Sequence, residues 1–148
     1  MTDSNIIKRG AEIELNIESL AYGGMGIAKL DKFVIFVKGA IPGEKVIARI
    51  YKKRKGYAEG EVKEVIKKSN YAEEVRCNHF YVCSKIQSLS YHQQLIEKAN
   101  QVEDVFNRLG GFPSFSLYEK IGAQQIYNYR NKMEFTFSPH RWVLENEP

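Results

Sequence analysis

Between Glu12 and Glu18 polar and apolar residues alternate without a break, as Glu12-Ile13-Glu14-Leu15-Asn16-Ile17-Glu18. Only a strand sends successive side chains to opposite faces, so the run predicts a strand burying Ile13, Leu15 and Ile17. The glycines of Tyr22-Gly23-Gly24-Met25-Gly26 then supply a tight, close-packed turn. Ile27 to Leu30 and Phe33 to Val37 predict a hairpin about Asp31-Lys32. Pro42-Gly43 turns the chain into Lys45 to Lys52, and Lys55-Gly56 opens a last strand from Ala58 to Ile66. Five short antiparallel strands in about sixty residues predict a small closed or nearly closed β-barrel of OB type. The composition shift at Lys67-Lys68-Ser69-Asn70 places a domain boundary there, giving residues 1–68 and 69–148.

Charge is unevenly divided between these parts. Residues 1–70 carry 14 Lys and Arg against 9 Asp and Glu, while residues 71–148 carry 8 against 9. Much of the excess is the run Lys52-Lys53-Arg54-Lys55, which is either a solvated hairpin loop or a patch attracting a polyanion such as RNA. On the preceding strand Val46, Ala48 and Ile50 read as core, whereas Lys45, Ile47, Arg49, Tyr51 and Lys53 share the other face. Cations around a ring suit charge contact and base stacking with single-stranded RNA, while Tyr51 as a cover for the barrel rim is the alternative. No secretory signal and no apolar run near the ~20 residues of a membrane helix is visible, so a cytoplasmic, membrane-free protein is expected.

The second part opens with Cys77-Asn78-His79-Phe80-Tyr81-Val82-Cys83, which holds both of the chain's cysteines. In a cytosolic setting a disulfide between Cys77 and Cys83 is not expected, and clustered thiolates point to metal or iron–sulfur ligation. Two thiolates do not complete such a site, and His79 is either a substitute ligand or a surface imidazole. Ser90-Tyr91-His92-Gln93 forms a capping box, after which Tyr91, Leu95, Ala99, Val102, Val105-Phe106 and Leu109 recur at helical spacing. Gly110-Gly111 and Pro113 end this helix, whose apolar stripe is expected to pack on the strands that follow. Those strands are expected at Ser116 to Ala123 and Arg130 to Ser138, making a partial α+β domain with one long helix and antiparallel strands. The hydrophobic run from Arg141 to Pro148 stops as a strand begins, which reads as truncation.

Ile17 to Val65 resembles the TRAM domain, an OB-like RNA-binding module attached to several RNA-modifying enzymes. The resemblance lies in Ile17-Glu18-Ser19-Leu20-Ala21-Tyr22-Gly23-Gly24-Met25-Gly26-Ile27-Ala28, Phe33-Val34-Ile35-Phe36-Val37 and Gly39-Ala40-Ile41-Pro42-Gly43-Glu44. Cys77 to Tyr91, the helix after it and Tyr129-Arg130-Asn131-Lys132 look like the central domain of RNA (uracil-5-)-methyltransferases of 23S rRNA and tRNA. Members with a 4Fe-4S cluster show C-x5-C-x2-C there. Cys77 and Cys83 match the first two positions, and Ser84-Lys85 stands where the third cysteine belongs. The pair is therefore read either as cluster ligands or as relics of them.

The resemblance implies RNA contacts by Arg49, Tyr51, Lys53, Arg54 and Lys55, and by Arg130 and Lys132 on a sheet facing the substrate, with an exposed strand edge as the alternative for the last two. It implies S-adenosylmethionine as cofactor of the full-length enzymes, bound by a domain these residues do not include. In that chemistry a thiolate adds to uracil C6 so that C5 becomes nucleophilic, and a base then removes the C5 proton. No residue here is assigned to either role, and Gly23-Gly24-Met25-Gly26 joins strands instead of opening a helix. The expectation is an RNA-recognising, monomeric N-terminal part of such an enzyme, inactive alone. A standalone RNA-binding adaptor and a small metal protein using Cys77, Cys83 and His79 are the rivals.

Overall fold

The computed structural model describes residues 7–77, 80, 84–132, 134, 137–141 and 143. The alternating run folds as strand β1 (Glu12–Asn16), with Ile13 and Leu15 inward and the glutamates outward. β2 (Ser19–Leu20), β3 (Gly26–Leu30), β4 (Phe33–Lys38), β5 (Lys45–Lys53) and β6 (Tyr57–Lys67) follow. All lie in one sheet ordered β1-β5-β6-β4-β3-β2.

Two features correct the expected barrel of five antiparallel strands. The sheet has six strands, and β4 runs parallel to β6, with Val34 beside Tyr57 and Lys38 beside Glu61. Residues 39–44 carry the chain away from β4, so the β5–β6 hairpin returns β6 into the space between β5 and β4. Alternation reports which face a side chain takes and is silent on the partner strand. The sheet is also open, because no ladder joins its edge strands β1 and β2 among the described residues. The backbone between them is already engaged: the N–H of Ile17 donates to the Glu44 carbonyl (2.9 Å) and that of Glu18 to the Ile27 carbonyl (2.8 Å).

Register shifts in the β5–β6 ladder at Lys45/Val46, Ile47/Ala48 and Ile50/Lys52 bend the long hairpin around the core. Inside it Ile7, Ile35, Val37, Val46 and Ile50 are wholly removed from water. Each such side chain contributes about 1.5–3 kcal/mol of transfer free energy. At Gly26 the packing reaches the backbone, since a Cβ there would sit 2.9 Å from Ile17 Cγ2 and 3.0 Å from the Ala40 carbonyl oxygen.

A second small core of Leu20, Ile41 and Leu89, backed by Ile86, joins the sheet to the chain beyond it. Ser69 fastens the crossing: its hydroxyl donates to the Pro42 carbonyl (2.6 Å) and accepts from the Tyr71 N–H (3.1 Å). Ala72 then bridges Leu89, just ahead of helix α1 (Tyr91–Arg108). Ser90 caps the helix as its sequence predicts, accepting from Gln93 N–H, but the second half of the capping box is not made. The Ser90 N–H goes to the Tyr71 carbonyl, and the Gln93 side chain donates to Glu97 instead.

The apolar stripe of α1 does not make up its buried face alone. Gln93 and Glu97 are buried together with the stripe residue Ala99, Phe106 stacks on Phe115 of the chain that follows, with ring centroids 4.1 Å apart, and Val102, Val105 and Leu109 remain exposed. Nor do the described residues of 116–123 and 130–138 form strands; Met133, Phe135 and Thr136 lie outside the described residues. A strand needs a ladder partner, and the backbone after α1 finds helix side chains instead. The N–H of Phe115 donates to Asn107 Oδ1, that of Leu117 to Glu103 Oε1 and that of Ala123 to the Tyr91 hydroxyl. Among the described residues no helix is long and apolar enough to cross a membrane.

Glu44 is buried where residues 39–44 cross the end of the barrel-like sheet. Burial pushes its carboxyl above the ordinary value of 4.5, against the opposing effects of the Ile41 N–H bond and the Lys68 charge. A raised folded-state value means the protonated form is favoured on folding. The resulting stability is full below the ordinary value and is lost as pH rises through the raised one. Urea midpoints between about pH 4 and pH 7 should therefore fall less in Glu44→Gln, which keeps an acceptor for Ile41, than in the parent chain. Gly26→Ala should destabilise by about 1–3 kcal/mol in the same measurement, through overlap with Ile17 and Ala40.

Candidate nucleic-acid interface

The β5–β6 hairpin places the basic run at one end of the sheet. The N–H of Arg54 donates to the Tyr57 carbonyl (2.8 Å), closing a turn from which Arg54 and Lys55 project into solvent. Among the described residues neither has a carboxylate within ion-pairing distance. Lys53 lies at the same end, its Nζ 6.0 Å from the centre of the Phe33 ring on β4. Lys52 turns the other way, ion-paired to Glu59 and 5.9 Å from the centre of the Tyr57 ring. Its bond to Glu59 holds the Lys52 ammonium above its usual value.

Further along β5 the outward face is less basic than its own sequence implies. Arg49 stands between Glu12 of β1 and Glu61 of β6, and Ile47 between Glu14 and Glu64. Lys45 is paired to Glu14 at 2.6 Å. Two flanking rows of carboxylates oppose a polyanion approaching the strand. Tyr51 occupies the Ile50/Lys52 irregularity, half out of water. Burial and then the neighbouring Glu59 push its phenol above its ordinary value, and Glu59 also accepts its hydroxyl hydrogen bond. The structure thus separates residues grouped by alternation: Lys53, Arg54 and Lys55 cluster at the tip, while Arg49 and Tyr51 sit among acids. Both acidic rows were visible in sequence, as Glu12-x-Glu14 and as Glu61 with Glu64; only the strand order sets them on either side of β5.

The rings missed by a reading of β5 alone are on the adjoining strands. Phe36 and Tyr57 meet edge to face, with centroids 5.7 Å apart, on the outer side of the parallel β4–β6 pair. They open onto a concavity of about 1030 Å³ between the sheet and the second half of α1. Arg130 lines a second one, of about 730 Å³, between the first half of α1 and the irregular chain near Tyr127. Lys132 is elsewhere on the surface, in a fully solvated 3.1 Å pair with Glu134 that adds little stability.

Cys77 is exposed, and Cys83 and His79 lie outside the described residues. Among the described residues no three His, Cys, Asp or Glu side chains converge as a metal site would require. The two cysteines of this sequence are fewer than the four thiolates that hold a 4Fe-4S cluster. Gly23 and Gly24, at φ of 91° and 82°, turn β2 into β3. That hairpin turn does not fit a cofactor-binding loop, which joins a strand to a helix N-terminus.

A curled sheet with a cationic, ring-backed hairpin at one end has the build of a small nucleic-acid-binding β-module. Comparison with known proteins gives the particular one: residues 8–63 match the TRAM domain. Over 88% of its length the chain is 38% identical to an uncharacterized RNA methyltransferase of Clostridium tetani, covering 29% of that protein. It is 35% identical over 90% of its length to another from Porphyromonas gingivalis, again covering 29%. A conserved protein of Methanococcus maripaludis with a solution structure is 33% identical over 39% of this chain and 83% of its own, with a TM-score of 0.38. The chain is a TRAM-bearing relative of RNA methyltransferases and spans less than a third of the length of the curated relatives it matches.

Replacing Lys53, Arg54 and Lys55 together by Ala should weaken RNA binding and flatten its salt dependence. Each lost phosphate contact lowers the slope of log affinity against log salt by about one unit. Fluorescence anisotropy with a labelled single-stranded RNA across a salt series measures both; an unchanged slope would remove the hairpin tip from the interface.

Proposed function

We propose that this chain recognises RNA as the N-terminal part of an S-adenosylmethionine-dependent RNA (uracil-5-)-methyltransferase acting on 23S rRNA or tRNA in the cytoplasm. The observation that carries this reading is the extent of the similarity. It runs through the TRAM domain and on through the cysteine segment and α1, to 86–90% of the chain. A likeness confined to the TRAM module would favour a standalone adaptor. In this reading residues 1–68 grip the RNA and residues 69–148 begin the central domain that aligns the substrate. The methyl group comes from S-adenosylmethionine bound by residues other than these. The part played by this chain is to bind, through cations and rings placed where phosphates and unstacked bases reach them.

Two measurements test it. The purified 148-residue chain should bind RNA yet transfer no label from radioactive S-adenosylmethionine. Disrupting its gene should remove 5-methyluridine from one position in 23S rRNA or tRNA, read by nucleoside mass spectrometry and mapping. Unchanged 5-methyluridine in both RNAs would overturn the uracil-5 assignment.

A further inference from the structure

One side of α1 borders both hollows. Tyr91, Gln94, Lys98, Gln101, Val105 and Arg108 recur three or four residues apart and so share one side of the helix. The first three border the concavity that contains Arg130, and Lys98, Gln101, Val105 and Arg108 border the one floored by Phe36 and Tyr57. Lys98 belongs to both. The two hollows are therefore consecutive stretches along one helical face, meeting at an exposed ammonium group that has no ion-pairing partner among the described residues.

We propose that this face is one wall of a track for single-stranded RNA, leading from the β5–β6 turn across Tyr57 and Phe36, past Lys98, to Arg130. The inference rests on the RNA-binding reading above and adds the path and the strandedness of the ligand.

Charge selects the occupant. The carboxylates beside the track are already engaged: Glu97 is buried and accepts from the Leu20 N–H and from Gln93, and Asp104 is held by Arg108. Cations stand at the entrance (Lys53, Arg54, Lys55), at the midpoint (Lys98) and at the exit (Arg130), in contrast to the acid-flanked outer face of β5. Rings are available at both ends. Phe36 and Tyr57 open to the first hollow, and Tyr127, with Arg76 stacked 3.6 Å from its ring centre, lines the second beside the exposed Tyr129. Rings and the exposed valines 102 and 105 meet base faces, which a duplex keeps stacked inside and a single strand presents. The 18 residues of α1 span about 27 Å, room for several nucleotides.

The test uses the full chain with a fluorescent single-stranded RNA of about twelve nucleotides and the matching RNA duplex. Binding should favour the single strand. Tyr57→Ala and Phe36→Ala should each lower affinity about tenfold. Lys98→Glu, at an exposed helix position where folding is not at stake, should lower it several-fold and reduce the salt slope. Equal or tighter binding of the duplex overturns the proposal. So does full affinity in Lys98→Glu and Tyr57→Ala together with a loss in Arg49→Gln, which would return the RNA to the face of β5 and leave the RNA-binding reading standing. A chain that binds neither RNA defeats both readings.

Discussion

The relation between sheet and helix depends on how α1 treats the backbone of Leu20. That residue ends a strand only two residues long, paired on one side with β3. On its other side the N–H donates to Glu97 Oε2, and Gln101 Nε2 donates to the carbonyls of Leu20 and Ala21, each at 3.3 Å. Helix side chains thus satisfy an edge that would otherwise present unpaired groups. The buried Glu97 carboxylate is tolerable because Gln93 and the Leu20 amide both donate to it. This polar seam sets the helix so that Glu97 and Gln101 meet the sheet edge while Val102, Val105 and Phe106 line the hollow beside it. The hollow against Phe36 and Tyr57 exists because of that choice.

The same seam explains where sequence reading stopped. Strand positions and their inward residues were legible, since Ile13, Leu15, Val46, Ala48 and Ile50 obey a period of two that burial enforces. The helix and its Ser90 cap were legible for the same local reason. Which face of α1 is buried was not: a hydrophobic stripe predicts burial only when an apolar partner is within reach, and here Glu97 and Gln101 found the backbone of Leu20 first. The parallel pairing of β4 with β6 was equally hidden, because no local pattern names a non-adjacent partner.

In the candidate interface the legible part was the placement of the hairpin tip. Lys53, Arg54 and Lys55 needed only a turn to be brought to one end. Arg49 and Tyr51 were assigned from one strand in isolation, and their surroundings come from β1 and β6. A cation on a sheet acts through the charges opposite it, so a basic strand between two acidic ones presents little net field. The aromatic pair Phe36 with Tyr57 forms across the parallel junction that sequence could not supply.

The place of β6 in the sheet also bears on how the molecule assembles. It is the last strand among the described residues, yet it lies in the middle of the strand order, between β5 and β4. Before it arrives, β1 with β5 and β4 with β3 and β2 are two separate ribbons with no ladder between them. Neither ribbon alone encloses the core around Ile35 and Ile50. Closure must therefore wait for a contact that is distant in sequence, which places this module among the slower-folding small β-structures. During synthesis the two ribbons cannot be joined in one sheet until β6 has emerged, so the hairpin that carries the cations is the piece that locks the sheet.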